Sequence, residues 1–292
     1  MIQLTDVTKS YNNVNVVDCL NLQIDSGEII GLIGHNGAGK STTLKMIAGL
    51  IEPTSGHVRV MGHDMQKESI KVKQKIGYLP EESPLYEAMT AQQYLLFFSE
   101  LYQMPRQQAL KRIDQLLDSL GLPDKHKLTG EFSKGMKRKT AIARTLLHDP
   151  DLLILDEPNS GLDPLTSFFI INYLTTLKRE GKTIILSAHN LFHVETICDR
   201  VGIIKNGKLL VFDTMAFIRS KLGKREYQVI FQAGQKLDAY ERVNGYYIFR
   251  TGEVDAIARM LETVSVNGWT LMDLSMRESA LEEIYVKLMT NG

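Results

Sequence analysis

The run Gly34-His35-Asn36-Gly37-Ala38-Gly39-Lys40-Ser41, followed by Thr42, constrains this chain more than any other stretch. It matches G-x-x-x-x-G-K-[ST] and lies between an apolar strand-like segment, Glu28–Ile33, and a segment of helical spacing, Lys40–Leu50. Glycines let such a loop curl so that successive backbone N–H groups point at phosphate oxygens. The N-terminus of the following helix adds positive potential. Within it, Lys40 is placed to pair with β- and γ-phosphates, and the Ser41 hydroxyl to ligate Mg²⁺. The loop therefore implies nucleoside triphosphate binding on an α/β framework.

Hydrolysis needs a metal ligand and a base. The apolar run Leu152-Leu153-Ile154-Leu155 ends in Asp156-Glu157. Adjacent carboxylates repel, and burying both without a cation is costly. In a phosphoryl-transfer site the first, Asp156, holds the Mg²⁺ shell. The second, Glu157, polarises the attacking water. This run and Thr183–Ser187 read as strands buried on both faces, as in a parallel sheet.

Elsewhere, Ile2–Val7 and Val16–Ile24 alternate as half-solvated strands, and Asn206-Gly207 between apolar pairs signals a hairpin. Residues from about Met89 to His148 read as helices Ala91–Tyr102, Arg106–Leu120 and Ser133–His148, separated by Pro105 and by Gly121-Leu122-Pro123. After about Phe217 the character changes. Tyr227, Val229 and Phe231 alternate, Tyr246–Arg250 is aromatic-rich, and Val254, Ile257, Ala258 and Leu261 mark an amphipathic helix. Ser279 and Glu282 form the pattern of a capping box ahead of a last helix striped with Leu281, Ile284, Tyr285 and Leu288.

Composition excludes several classes. Lys+Arg and Asp+Glu number 34 each, so the net charge is zero and no global field for nucleic acid exists. Cys19 and Cys198 form no framework. The opening residues lack the apolar core of a signal peptide, and no apolar run approaches the roughly 20 residues of a membrane span. A cytoplasmic chain is expected, and any transmembrane path must come from another polypeptide.

Further motifs carry a family resemblance. Phe132-Ser133-Lys134-Gly135-Met136 resembles the L-S-G-G-Q signature of ATP-binding cassette (ABC) ATPases. Pro158-Asn159-Ser160-Gly161-Leu162-Asp163-Pro164 is similar to their D-loop, and Ile184–His189 to their switch strand and histidine. Tyr11 stands where the family stacks a ring on adenine, and Glu81 where it usually has Gln. The likeness covers about residues 1–215. Ile76-Gly77-Tyr78-Leu79-Pro80-Glu81 and the tail containing Ala280–Tyr285 are similar to ATPase subunits of bacterial-type exporters.

The resemblance implies an α/β phosphate-loop core with an antiparallel β subdomain and a helical subdomain (about 85–148) within residues 1–217. A small C-terminal α+β domain then spans residues 218–292. It also implies an ATPase with ATP and Mg²⁺, working as a head-to-tail dimer whose second ATPase subunit is another copy. In that dimer Ser133 and Gly135 meet the γ-phosphate bound by the partner, Asp163 reaches across, and His189 senses the triphosphate. The expected role is to energise export through a separate transmembrane permease subunit, from the inner face of the membrane, with Glu81 to about Tyr102 as docking surface. A soluble ABC ATPase serving a cytosolic assembly or regulatory process is the alternative.

Overall fold

The computed structural model describes residues 1–122, 124 and 126–290. The proline of the Gly121-Leu122-Pro123 break thus lies outside the described residues. The chain forms two compact units, Met1–Thr214 and Met215–Gly292.

The first unit opens with a hairpin, β1 (Ile2–Tyr11) and β2 (Val14–Ile24). It runs further than alternation predicts, because Asn12 and Asn13 both adopt left-handed φ values, 49° and 62°, that suit a two-residue turn. Next come β3 (Ile29–Ile33), α1 (Lys40–Ile47), β4 (Ser55–Val60), β5 (His63–Asp64), α2 (Met65–Lys73) and β6 (Ile76–Leu79). A helical stretch holds α3 (Ala91–Leu101), α4 (Arg106–Ser119) and α5 (Lys134–Leu146). Then follow β7 (Leu152–Leu155), α6 (Pro164–Arg179), β8 (Thr183–Ser187), α7 (Leu191–Ile197), β9 (Arg200–Lys205) and β10 (Lys208–Thr214).

One sheet is antiparallel, β2-β1-β4-β5. The other, β10-β9-β3-β8-β7-β6, is parallel except for β10. Every residue of β3, β7 and β8 is buried, which explains their unbroken apolar runs. Leu4, Leu22 and Val58 from one sheet and Ile30, Leu32 and Ile154 from the other share a core with Leu44 of α1.

The second unit holds α8 (Met215–Leu222), β11 (Arg225–Gln232), β12 (Glu241–Val243), β13 (Tyr246–Thr251), α9 (Val254–Val266), β14 (Thr270–Glu278) and α10 (Leu281–Thr290). Its antiparallel sheet runs β12-β13-β11-β14. Val229 and Phe231 of β11 pack under Ile257, Met260 and Val264 of α9. Phe231 also stacks on Trp269, with ring centroids 5.0 Å apart.

The Ser279–Glu282 capping box does not form. The Ser279 hydroxyl accepts the Lys224 N–H at 3.0 Å instead, and α10 begins two residues later. Sequence periodicity assigns neither α6 nor β14. The Asp163-Pro164 start of α6 reads as a turn, and Met, Asp and Arg dilute the strand pattern of β14.

Trp269 is the chain's single tryptophan, so its fluorescence reports the second unit. Phe231→Ala, in that core, should destabilise the unit by about 3–5 kcal/mol. The check is an earlier tryptophan transition in a urea titration.

Candidate functional site

Three neighbouring parallel strands deliver their functional residues at one end. The 34–41 loop follows β3, Asp156 and Glu157 follow β7, and His189 follows β8. Open α/β sheets bind ligands at these carboxyl ends. A cavity of about 330 Å³ lies there, lined by Asn36, Gly37, Ala38, Gly39, Lys40, Ser41, Thr42, Glu81, Glu157, His189 and Val16.

The loop is held by contacts only glycine tolerates. Gly39 has φ 107°, and a Cβ on it would lie 2.5 Å from the Val16 carbonyl oxygen. A Cβ on Gly34 would lie 2.3 Å from the Ile204 carbonyl oxygen. Gly39 is also the N-cap of α1 and supplies no side chain, which leaves the first-turn N–H groups for a ligand. Gly34 and His35 sit behind this surface; His35 bonds the Asn36 carbonyl at 2.7 Å. Lys40 is buried and donates to the Gly34 and His35 carbonyls at 2.7 and 3.2 Å. Burial lowers its pKa, against the raising charges of Glu157, Asp156 and Glu81. A buried ammonium hydrogen-bonded to two backbone carbonyls suits an incoming phosphate.

Asp156 is buried and collects two hydroxyls on one oxygen: Ser41 donates to Oδ1 at 3.0 Å and Ser187 at 2.6 Å. Ser187 also accepts the Glu157 N–H at 2.9 Å. Sequence reasoning quoted Ser187 only as part of a strand; nothing local announced its second role.

Glu157 is buried and adopts φ 50°, a conformation that costs a non-glycine residue on the order of 1–3 kcal/mol. Its Oε1 lies 3.0 Å from His189 Nε2, yet without the alignment of a hydrogen bond. This orphaned oxygen is buried, on a residue that lines the cavity. Burial pushes the carboxyl up to about 7, aided by Glu81 and Asp156 and opposed by Lys40.

Arg138 is the residue that motif reading missed. Buried on α5, it donates from Nε to Pro158 O, from Nη1 to Pro80 O and Glu81 O, and from Nη2 to Asp156 O and Glu157 O, all at 2.7–3.0 Å. Burial lowers its pKa to about 10. A lone arginine among Lys137 and Lys139 gave no signal of this.

The remaining expected residues are not gathered at this cavity. Tyr11 ends β1, exposed, with Lys9 Nζ 5.1 Å from its ring centre, and it does not line the cavity. Ser133 is the exposed N-cap of α5, accepting the Met136 N–H at 3.2 Å. Asp163 caps α6 by accepting the Thr166 N–H at 2.9 Å, and that bond lowers its pKa. Gly135 is buried against Thr166, whose Oγ1 a Cβ would meet at 2.9 Å. Within one copy, therefore, Gly135 serves helix packing and presents no open face.

Comparison places this geometry among known proteins. A family model described as ABC transporter matches residues 17–160. The chain is similar to the bacitracin transport ATP-binding protein of Bacillus licheniformis, 36% identical over all of this chain and 98% of that protein. It is also similar to the linearmycin resistance ATP-binding protein of Bacillus subtilis, 40% identical over 76% of this chain and 72% of the relative. Among solved structures, a dimeric ATP-binding cassette in a post-hydrolysis state with ADP and Pi aligns at TM-score 0.68 and 26% identity, covering 74% of this chain and 99% of that one.

Two outcomes follow from the contacts of the site. Lysine cannot span the five carbonyls, so Arg138→Lys should cost about 3 kcal/mol, seen as a lower melting temperature of the first unit. The folded chain favours neutral Glu157 and keeps its proton between about 4.5 and 7, where the unfolded chain has lost it. Stability therefore falls as pH rises through that window. Glu157→Gln should melt about 5 °C above the parent at pH 8 without nucleotide, and the gap should close as pH drops toward 5.

Proposed function

We propose, for a chain that belongs to the ABC transporter family, that it drives solute export through a separate transmembrane subunit. The chain is an ATPase of that family. The observation that carries the mechanism is that Lys40, Ser41 and Glu157 line one cavity while Asp156 accepts the Ser41 hydroxyl at 3.0 Å.

The loop N–H groups and Lys40 hold the phosphates. Ser41 and Asp156, whose side-chain oxygens lie 3.0 Å apart, are the residues that would hold Mg²⁺. When bound, Mg²⁺ neutralises charge on the β- and γ-phosphates. Glu157, through its unpartnered Oε1, accepts a proton from the water whose oxygen attacks the γ-phosphorus; ADP leaves and phosphate forms. A carboxyl displaced toward 7 is a stronger base than an ordinary one and is still largely ionised at pH 8. His189, half-exposed beside it, contacts the γ-phosphate and reports its presence.

Ser133 and Asp163 lie at exposed helix starts away from their own cavity. That placement supports the reading in which they serve the nucleotide of a second copy. ATP then bridges two copies, and hydrolysis lets them part.

The docking surface runs from Glu81 to Tyr102. Tyr86, Phe97, Leu101 and Tyr102 are exposed there, and Tyr102 stacks on His148 beside a cavity of about 560 Å³. Such apolar exposure suits a protein partner. No described helix is long and apolar enough to cross a membrane. Two relatives are named for bacitracin transport and linearmycin resistance, which supports export as the direction.

Glu157→Gln should lower turnover about 10²–10⁴-fold while retaining ATP binding. Light scattering with ATP should show the variant pairing. In mild detergent it should bring down an integral membrane protein; recovery of soluble partners alone would overturn the export reading.

A further inference from the structure

The second unit has a feature that ATP chemistry does not use. β14 is an edge strand of nine residues, hydrogen-bonded to β11 on one side only. Every residue from Thr270 to Arg277 is exposed, and the strand contains neither proline nor glycine. Beyond a bulge at Met272 its register with β11 is unbroken from Asp273 to Glu278. Edges of this length are usually shortened, kinked or covered, because their outer N–H and C=O groups invite another strand.

The side chains are sorted by face. Cross-strand register places Leu274 opposite Val229 and Met276 opposite Tyr227. Leu274 and Met276 therefore share the face on which Val229 is buried under α9. They are 48% and 55% exposed. Asp273, Ser275 and Arg277 occupy the opposite face.

We propose that this edge pairs antiparallel with the same edge of a second copy of the chain, about a two-fold axis through Ser275, without need of nucleotide. In that register Leu274 lies opposite Met276 of the other copy, twice, on the apolar face. Asp273 lies opposite Arg277, also twice, on the polar face. Opposite charges and apolar groups directly across a ladder stabilise it. The match is specific to one register. A slip of one residue sets the apolar face of one strand against the polar face of the other. A slip of two moves Arg277 away from Asp273. Arg277 also meets Glu283 of α10, and its remaining guanidinium N–H groups serve a second carboxylate.

A two-fold contact of this kind is isologous and closed, so it makes a dimer and no fibre. It joins two four-stranded sheets into one. A second contact that persists without nucleotide raises the effective concentration of one copy for the other. Its failure would leave the ATPase reading untouched.

The test uses the full-length chain without nucleotide, in a Cys19→Ser background, since Cys19 is the exposed cysteine. Directly opposed residues in an antiparallel pair have Cα atoms about 4.5–5.5 Å apart, within disulfide reach. Ser275→Cys should therefore crosslink to itself under mild oxidation. Val266→Cys, also exposed but on α9, should not. By sedimentation, Asp273→Arg and Arg277→Asp should each weaken self-association about tenfold, and the double reversal should restore it. Unchanged Trp269 fluorescence certifies the fold of each variant. A chain that stays monomeric with no Ser275→Cys dimer, or a double reversal no better than its single parents, overturns the proposal.

Discussion

One guanidinium holds the site together. Arg138 reaches from the helix that opens within the signature run into the ends of β6 and β7, where it gathers five backbone carbonyls. Carbonyls at strand ends lack ladder partners, and burial makes an unmet acceptor costly. Arginine meets this need because its five N–H donors are rigid and planar and its charge is hard to remove. The three segments that carry Glu81, Asp156-Glu157 and Ser133 are thereby made one body. Any shift of α5 must then be felt at Glu157.

Around that fixed frame the site stores charge and strain instead of relieving them. Lys40 and Glu157 are both buried, and burial disfavours the charged form of each. Each nevertheless stabilises the other's charge. Glu157 is further held in a left-handed backbone conformation by its N–H bond to Ser187 and its carbonyl bond to Arg138. Both side chains are therefore held at a cost that an anion beside Lys40 and a cation beside the carboxylates would offset.

Two departures from the family pattern also share one place. Glu81 stands for Gln and Lys134 for Gly, one adding a negative charge and the other a positive one. Both line a cavity of about 470 Å³ that also contains Lys137 and Arg138. The two changes leave the net charge of that cavity as the usual pair would. Neither is legible as compensation in sequence, where they lie 53 positions apart.

Many of the residues that line the candidate site stand close together in residue order, because its loop and its strand ends are local. A glycine loop between strand and helix, and two carboxylates closing an apolar run, announce their chemistry within a few residues. The buried parallel strands were readable for the same reason, since a strand covered on both faces is apolar throughout. What tertiary structure alone decided were contacts between distant segments. Ser187 lies 31 residues from Asp156, and Arg138 lies 57 or 58 residues from two of its carbonyls. Gly135 is glycine here because Thr166 fills the space beside it, and Tyr11 lies away from the cavity because the β1 hairpin carries it outward. β14 escaped notice because its place at an edge freed it from the burial that writes a strand pattern. Short-range backbone geometry leaves its mark on neighbouring residues; long-range packing is written only where the folded chain brings segments together.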